Sequence, residues 1–401
     1  MSAAGPLRAA ALRLRAPPPP PPSWRAHPRA PAPARRALSS ASPSPPAALS
    51  VAELRDAARS ARLSDHIYAD DEAQTAALVV ADGMSVVAQG RSAATRWLVA
   101  DDAARNVRHV VFRGVAWRDE AVDRTALTMR LAQAWPAQLE RGVPLRAHAG
   151  VAALAEALWP AVSPHLAASA RPRGARLALA GHSLGGSLAL ITVALARLRL
   201  GIPPAALAPV HAFGSPPVLT LERNAAPPAV RAAPPGAGVL QLLQLPPRSV
   251  KLFVLDTDPV PRMWSTADPL IAALRARLPR WAGGAGGEAE AAAAAASDAQ
   301  PAAEVTPATA TAASSSLSSA GGFFEAVGDV YWVRWEGLAA RCERLAPEGV
   351  ISALTLSAED LASPLAILRA NLDHNRRAYT AALETLLQMA GGGAGEGSEA
   401  S

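Results

Sequence analysis

The chain has 401 residues, a formal net charge of +6 and a single cysteine. That cysteine, Cys342, excludes an intrachain disulfide framework and a cysteine-built zinc site, and no apolar run approaches the roughly 18 residues of a membrane span. Residues 1–50 hold seven arginines and no acid, which leaves about −1 (+6 − 7) for the rest, so the fold itself gives no reason to expect nucleic-acid binding.

Taken in chain order, residues 1–50 are rich in Ala, Pro, Arg and Ser, with a proline run from Pro17 to Pro22. Proline defeats helix and sheet, and few large apolar residues are present to bury, so disorder is expected. An Arg-rich, Ser-rich, acid-free segment has the composition of an organelle transit peptide. The destination is a plastid or, if residues 34–40 form a processing site, a mitochondrion. A folded domain is expected over 51–390. Ser50 and Glu53 have the spacing of a capping box, which opens a helix over 51–63. Residues 77–81, 84–89, 96–100 and 107–112 read as strands. Residues 124–139 read as a helix, with Leu127, Leu131, Ala134, Trp135 and Gln138 near one face. Residues 149–166 read as another, broken near its end by Pro160 and Pro164.

A strand over 176–180 precedes a helix over 184–200, which Gly201 and Pro203 stop. Residues 210–213 and 250–255 are further apolar strands, 224–238 is a Pro/Ala loop, and 331–333 is a late strand. Residues 283–322 are almost entirely Ala, Ser, Gly and Thr and predict a disordered insertion, and 391–401 a disordered tail. Strands alternating with helices predict an α/β sheet, largely parallel after Val107.

Gly181-His182-Ser183-Leu184-Gly185 is a G-x-S-x-G sequence between a predicted strand and a predicted helix. That context is the nucleophile elbow, in which flanking glycines permit a tight turn and the serine hydroxyl stands above the sheet edge. A serine nucleophile needs a base, and the base an orienting carboxylate, in the chain order Ser, acid, His. Of the eight histidines, only His211 and His374 follow Ser183. His211 lies inside a strand and leaves no acid between itself and Ser183, so His374 is the expected base. Among the intervening aspartates, Asp256 ends the 250–255 strand. Asp258 lies in the loop after it, stiffened by Pro259 and Pro261, and is the expected acid. Asp373 adjoins His374, where neighbouring side chains diverge. An oxyanion hole requires two backbone N–H groups aimed at one point. They are expected from Leu184, directly after the nucleophile, and from Val115, in the turn that follows the 107–112 strand and Gly114.

These pieces together resemble the class 3, fungal-lipase-like branch of the α/β-hydrolases. Val111-Phe112-Arg113-Gly114, His148-Ala149-Gly150, the segment 181–187, Phe213-Gly214-Ser215-Pro216 and Asp258-Pro259-Val260-Pro261-Arg262 occur in family order. Within the class, the stretch 177–219 and Asp373-His374 look most like the plant and algal plastid lipases. The resemblance implies an α/β-hydrolase fold and a Ser183–Asp258–His374 triad. It also implies acyl hydrolysis of membrane glycerolipids, of phospholipase A1 or galactolipase type, without metal or organic cofactor. A triacylglycerol or monoacylglycerol lipase, or a catalytically silent lipase-like binding protein, is the alternative. Val115 departs from the small hydroxyl residue usual after Arg-Gly in this class. The class also places a lid after the oxyanion turn, which would make Trp117, Leu127, Leu131 and Trp135 substrate- or membrane-facing. A helix packed on the domain's own sheet explains the same pattern equally well. Membrane lipid is the implied partner, and oligomeric state is not specified by the sequence.

Overall fold

The computed structural model describes residues 49–92, 94–116, 121–169, 174–262, 324–345 and 372–392. The predicted transit segment up to residue 48, Trp117, the insertion 283–322 and the tail from 393 lie outside the described residues. The elements in order are α1 (Val51–His66), α2 (Glu72–Ala81), β1 (Ser85–Ser92), β2 (Thr95–Asp102), β3 (Val107–Phe112), α3 (Ala121–Ala132), β4 (Pro136–Gln138), β5 (Leu145–His148), α4 (Ala149–Ser169), β6 (Arg176–His182), α5 (Leu184–Leu200), β7 (Val210–Phe213), β8 (Leu219–Leu221), α6 (Pro228–Ala232), α7 (Ala237–Leu242), β9 (Val250–Leu255), β10 (Asp329–Glu336), β11 (Ala339–Leu345) and α8 (Arg376–Gly392).

The main sheet has the strand order β1-β2-β3-β6-β7-β9-β10-β11. Strands β3, β6, β7, β9 and β10 run parallel, and β1, β2 and β11 pair antiparallel at its margins. Helices cover both faces. The side-chain period of two assigns alternate residues to opposite layers. In β9, Val250, Leu252 and Val254 pack with α4 and α5, whereas Phe253 and Leu255 pack with α1 and α8. A parallel sheet buried on both faces is what the apolar runs of β6, β7 and β9 require. This is the largely parallel α/β sheet, flanked by helices, that the sequence predicts. A second, three-stranded sheet, β4-β5-β8, stands apart from it.

The capping box forms: Ser50 Oγ accepts from the Glu53 N–H, and the Glu53 carboxylate accepts from the Ser50 N–H. Four expectations are corrected. Residues 77–81 belong to α2 rather than to a strand, because Asp71 accepts from the Gln74 N–H and starts a helix that runs through them. The 124–139 helix ends at Ala132 and Pro136 opens β4 instead, as expected where a proline restricts the residue before it. In contrast, Pro160 and Pro164 lie inside an unbroken α4. The stripe Leu154, Leu158, Val162 and Leu166, each at most 3 % exposed, anchors that helix to the core strongly enough to offset the missing N–H donors. Residues 224–238 include α6 and the start of α7 rather than loop alone.

Beneath α1 the sheet carries a buried polar row: His109 on β3, His211 on β7 and Lys251 on β9. Lys251 Nζ lies 2.8 Å from Glu53 Oε1, and Ser60 Oγ lies 3.0 Å from His211 Nδ1. Burial alone would raise the Glu53 carboxyl, but hydrogen bonds from Lys251 and Ser50 outweigh it and hold the group at about 2. Burial pushes His109 down to about 4. His211 is pushed to about 3 by burial and then by the charge of Lys251. Both imidazoles are therefore neutral in the folded chain at neutral pH, whereas unfolded imidazole takes up its proton near 6.5. Between these values the unfolded chain binds more protons, so stability falls as pH drops from about 6.5 toward about 4 and is unaffected by these groups above that window. The urea midpoint should be lower at pH ~4.5 than at pH ~7. Neither ring nitrogen of His109 has a hydrogen-bond partner among the described residues. His109→Leu should therefore flatten that fall without loss of stability at neutral pH.

Candidate active site

Strand β6 runs directly into the elbow, and α5 starts one residue after Ser183. Ser183 has φ 58° and ψ −130°, a conformation that costs a non-glycine residue about 1–3 kcal/mol. The turn closes because its flanks carry no side chains. A Cβ on Gly181 would stand 2.2 Å from the Gly185 carbonyl carbon, and one on Gly185 would stand 2.0 Å from the Phe112 oxygen. The Ser183 N–H donates to the Phe213 carbonyl at 2.8 Å, which ties the nucleophile to β7.

The three residues expected as a triad are brought together. His374 Nε2 lies 3.0 Å from Ser183 Oγ, and His374 Nδ1 lies 3.0 Å from each oxygen of Asp258. With the Nδ1 proton donated to the carboxylate, Nε2 is left to accept from the serine hydroxyl. Asp258 is fully buried and accepts two further hydrogen bonds, from the Val260 N–H at 2.9 Å and the Tyr379 hydroxyl at 2.6 Å. The Tyr379 oxygen in turn accepts from the Leu255 N–H at 2.9 Å. Burial, and then the Asp258 charge, hold the Tyr379 phenol well above its usual range, so it remains a donor. The Asp256 N–H donates to Val333, and its carbonyl accepts from Trp332 Nε1, which ties that residue to β10. His211 faces Ser60 on the α1 side and not the nucleophile.

As the first residue of α5, Leu184 has no carbonyl four positions upstream within the helix, and its N–H lies at the positive end of the helix dipole. Val115 follows Gly114, where a Cβ would stand 3.0 Å from Ser183 Cβ and 2.7 Å from the His182 carbonyl, so the turn abuts the nucleophile. The Gly114 N–H is committed to Tyr68 Oη at 2.9 Å.

The expected lid residues divide. Leu127 is 1 % exposed and belongs to the main core, with Leu131 packed against it, so in this structure neither faces substrate. They sit on α3, whose apolar face is turned onto α4. Trp135, just before β4, is 50 % exposed, and Met129 on α3 is 67 % exposed. Arg376 pairs with Asp65 and lies over the Tyr68 ring, 4.5 Å from its centroid. His148 is buried against Phe324, with its Nδ1 accepting from the Val151 N–H, and is part of the scaffold.

Two site residues, Tyr68 and Tyr379, carry no motif that sequence reasoning would flag, and a third, His182, lies inside the G-x-S-x-G segment without a role read from it. Tyr68 connects α1 to the 113–115 turn, and its hydroxyl lies 3.4 Å from His182 Nδ1. His182 is buried against the His374 ring, 4.7 Å between centroids, and burial followed by the His374 charge keeps it well below the usual range, hence neutral. Tyr379 sits one turn into α8. Among the described residues no group of three or more His, Cys, Asp or Glu is placed to hold a metal ion.

Residues 109–266 match the family model "Lipase (class 3)". Over 179 residues the chain is 27 % identical to the chloroplastic phospholipase A1 PLIP2 of Arabidopsis thaliana, covering 43 % of this chain but only 22 % of that protein, so the chain spans about a fifth of this relative's length. Among solved structures it is similar to a fungal lipase in complex with an inhibitor, with 16 % identity, a TM-score of 0.47 and coverage of 80 % of this chain and 97 % of that one. It is also similar to the triacylglyceride lipase of Rhizomucor miehei, with 15 % identity, a TM-score of 0.46 and coverage of 81 % and 94 %.

Asp258→Asn should leave the fold intact and lower kcat by orders of magnitude by favouring the wrong histidine tautomer, whereas Asp256→Asn should cost far less. Steady-state ester hydrolysis by the two purified variants checks the assignment, and a reversed ranking would move the acid to Asp256.

Proposed function

We propose that this chain, whose residues 109–266 match the class 3 lipase family model, is a serine acyl hydrolase that releases fatty acids from membrane glycerolipids. The observation that carries the reading is the continuous chain of contacts from Ser183 Oγ through His374 to the buried Asp258, at 3.0 Å per step. Ser183 attacks the ester carbonyl carbon as His374 Nε2 takes its proton. Asp258 holds the imidazole and stabilises the imidazolium. The N–H groups of Leu184 and Val115 receive the oxyanion. Collapse of the intermediate expels the glycerolipid alcohol, to which His374 returns the proton, and leaves an acyl-serine. Water, deprotonated by the same histidine, then releases the fatty acid.

A polar glycerolipid is the preferred substrate, in the manner of a phospholipase A1 or galactolipase. The likeness to a phospholipase A1 supports this class. The exposed Trp135 and Met129, on the segment after the oxyanion turn, supply apolar surface for contact with a bilayer. The test is fatty-acid release from vesicles of galactolipid, phospholipid or triacylglycerol, with a fluorophosphonate probe reporting the nucleophile. The expected result is labelling and release from polar lipids, both abolished in Ser183→Ala with loss of about a thousandfold or more in kcat and no change in melting temperature. Preferential release from triacylglycerol would reassign the substrate. Near-normal turnover by Ser183→Ala would remove the mechanism, and an unlabelled, inactive parent would leave a lipid-binding protein.

The same reading gives residues 1–50 the role of a plastid transit peptide, supported by their arginine content without acids and by the chloroplastic relative. Fused to a fluorescent protein, these residues should accumulate it in plastids, and accumulation in mitochondria would overturn the destination.

A further inference from the structure

The proposed acid, in the loop after β9, and the proposed base, in the turn before α8, lie 116 positions apart in sequence, and the residue before each meets its counterpart as well. Asp258 meets His374. One position earlier on both loops, Thr257 meets Asp373: the Asp373 carboxylate accepts from the Thr257 N–H at 3.0 Å and from the Thr257 hydroxyl. The two contacts form a ladder of equal offset, 257 to 373 and 258 to 374. Because side chains of adjacent residues diverge, Asp373 points away from the imidazole it adjoins, and its partner is the residue preceding the acid.

We propose that Asp373 is a positioning residue whose grip on Thr257 sets the separation and register of the acid loop and the base turn. The inference builds on the hydrolase reading above. Its physical basis is that His374 precedes α8 in a short turn, and the imidazole must satisfy two distances at once, to Ser183 Oγ and to Asp258. By itself the Asp258–His374 contact fixes only one point between the acid loop and the base turn, and the other contacts of Asp258 do not involve the turn that carries the base. A second contact one residue away, made through both a backbone N–H and a hydroxyl, removes rotation about that point. Displacement of the base by about 1 Å is enough to cost on the order of a hundredfold in rate. Asp373 acts through its contact with Thr257, so its effect is expected on kcat and not on KM.

The test uses the full chain. Asp373→Ala and Thr257→Val should each lower kcat, the alanine variant by about 10- to 100-fold, with KM unchanged and with the rate expressed per fluorophosphonate-reactive site. The double variant should be little worse than the poorer single one, because both remove one contact. Asp373→Asn keeps an oxygen acceptor for both Thr257 donors and should recover most of the loss. A merely structural role predicts a lower melting temperature with unchanged kcat per reactive site, and that result would overturn the proposal. Multiplicative losses in the double variant, or no recovery with asparagine, would overturn it as well. A parent protein that neither labels at Ser183 nor hydrolyses ester defeats the hydrolase reading, and the positioning role with it. An active parent with an unaffected Asp373→Ala defeats only the positioning role.

Discussion

The backbone conformation of Ser183 is the constraint from which the rest of the site follows. A non-glycine residue at φ 58° and ψ −130° relaxes unless its surroundings over-determine it. Here the turn is clamped from two sides. Strand β3 lies beside β6 and brings the Phe112 carbonyl against Gly185, and Gly114 against Ser183. Strand β7 lies on the other side, and its Phe213 carbonyl receives the Ser183 N–H. The close approach that the glycines allow is therefore also what gathers the site: the same parallel order places the proposed oxyanion turn, nucleophile and acid at the carboxyl ends of β3, β6 and β9.

The acid end is held by redundancy. The Leu255 N–H is received by Tyr379, Asp256 is bound through its backbone to β10, Thr257 is held by Asp373, and Asp258 accepts from Val260, Tyr379 and His374. Four consecutive residues thus have partners on two other stretches of chain, β10 and residues 373–379. A buried carboxylate would be strongly disfavoured without such donors, and the hydrogen bonds from the Val260 N–H and the Tyr379 hydroxyl offset the loss of hydration. Tyr68 performs a comparable service on the opposite side. It accepts the Gly114 N–H, while Arg376, paired with Asp65, braces its ring. The end of α1, the proposed oxyanion turn and the start of α8 therefore meet at one phenol.

Much of this was legible in the sequence where local and tertiary demands agree. The capping box at Ser50, the strands at 107–112, 210–213 and 250–255, and the Leu184–Leu200 helix with its left-handed Gly201 cap have the bounds the residue pattern suggested. The pattern failed where packing overruled propensity. Val79 and Val80 made 77–81 look like a strand, yet Asp71 starts a helix there. Pro160 and Pro164 looked like breaks, yet the apolar stripe of α4 holds it together. At the candidate site, the meeting of Ser183, His374 and Asp258 was foreshadowed by the flanking glycines, chain order and elimination. Tyr68, Tyr379 and the Thr257–Asp373 contact were not, because a lone phenol, hydroxyl or carboxylate has no spacing signal until the sheet order brings distant loops together. Leu127 was misplaced for a related reason: an apolar helical face reads the same whether it covers a substrate or its own core.

The acid-sensitive row and the active site share their strands. His109 lies three residues before Phe112 on β3, His211 two before Phe213 on β7, and Lys251 at the start of β9, which ends beside the acid loop. Proton uptake by the buried imidazoles would introduce charge next to Lys251, between a sheet and a helix with little water to solvate it. The strands disturbed would be those that aim the proposed oxyanion turn and the proposed acid. Any fall of the proposed activity in acid would therefore carry a contribution from the loosened scaffold, and near-ultraviolet dichroism read over the same pH range reports it. If dichroism is lost as the rate falls, the histidines beneath α1 set the acid limit; if dichroism is unchanged while the rate falls, they do not.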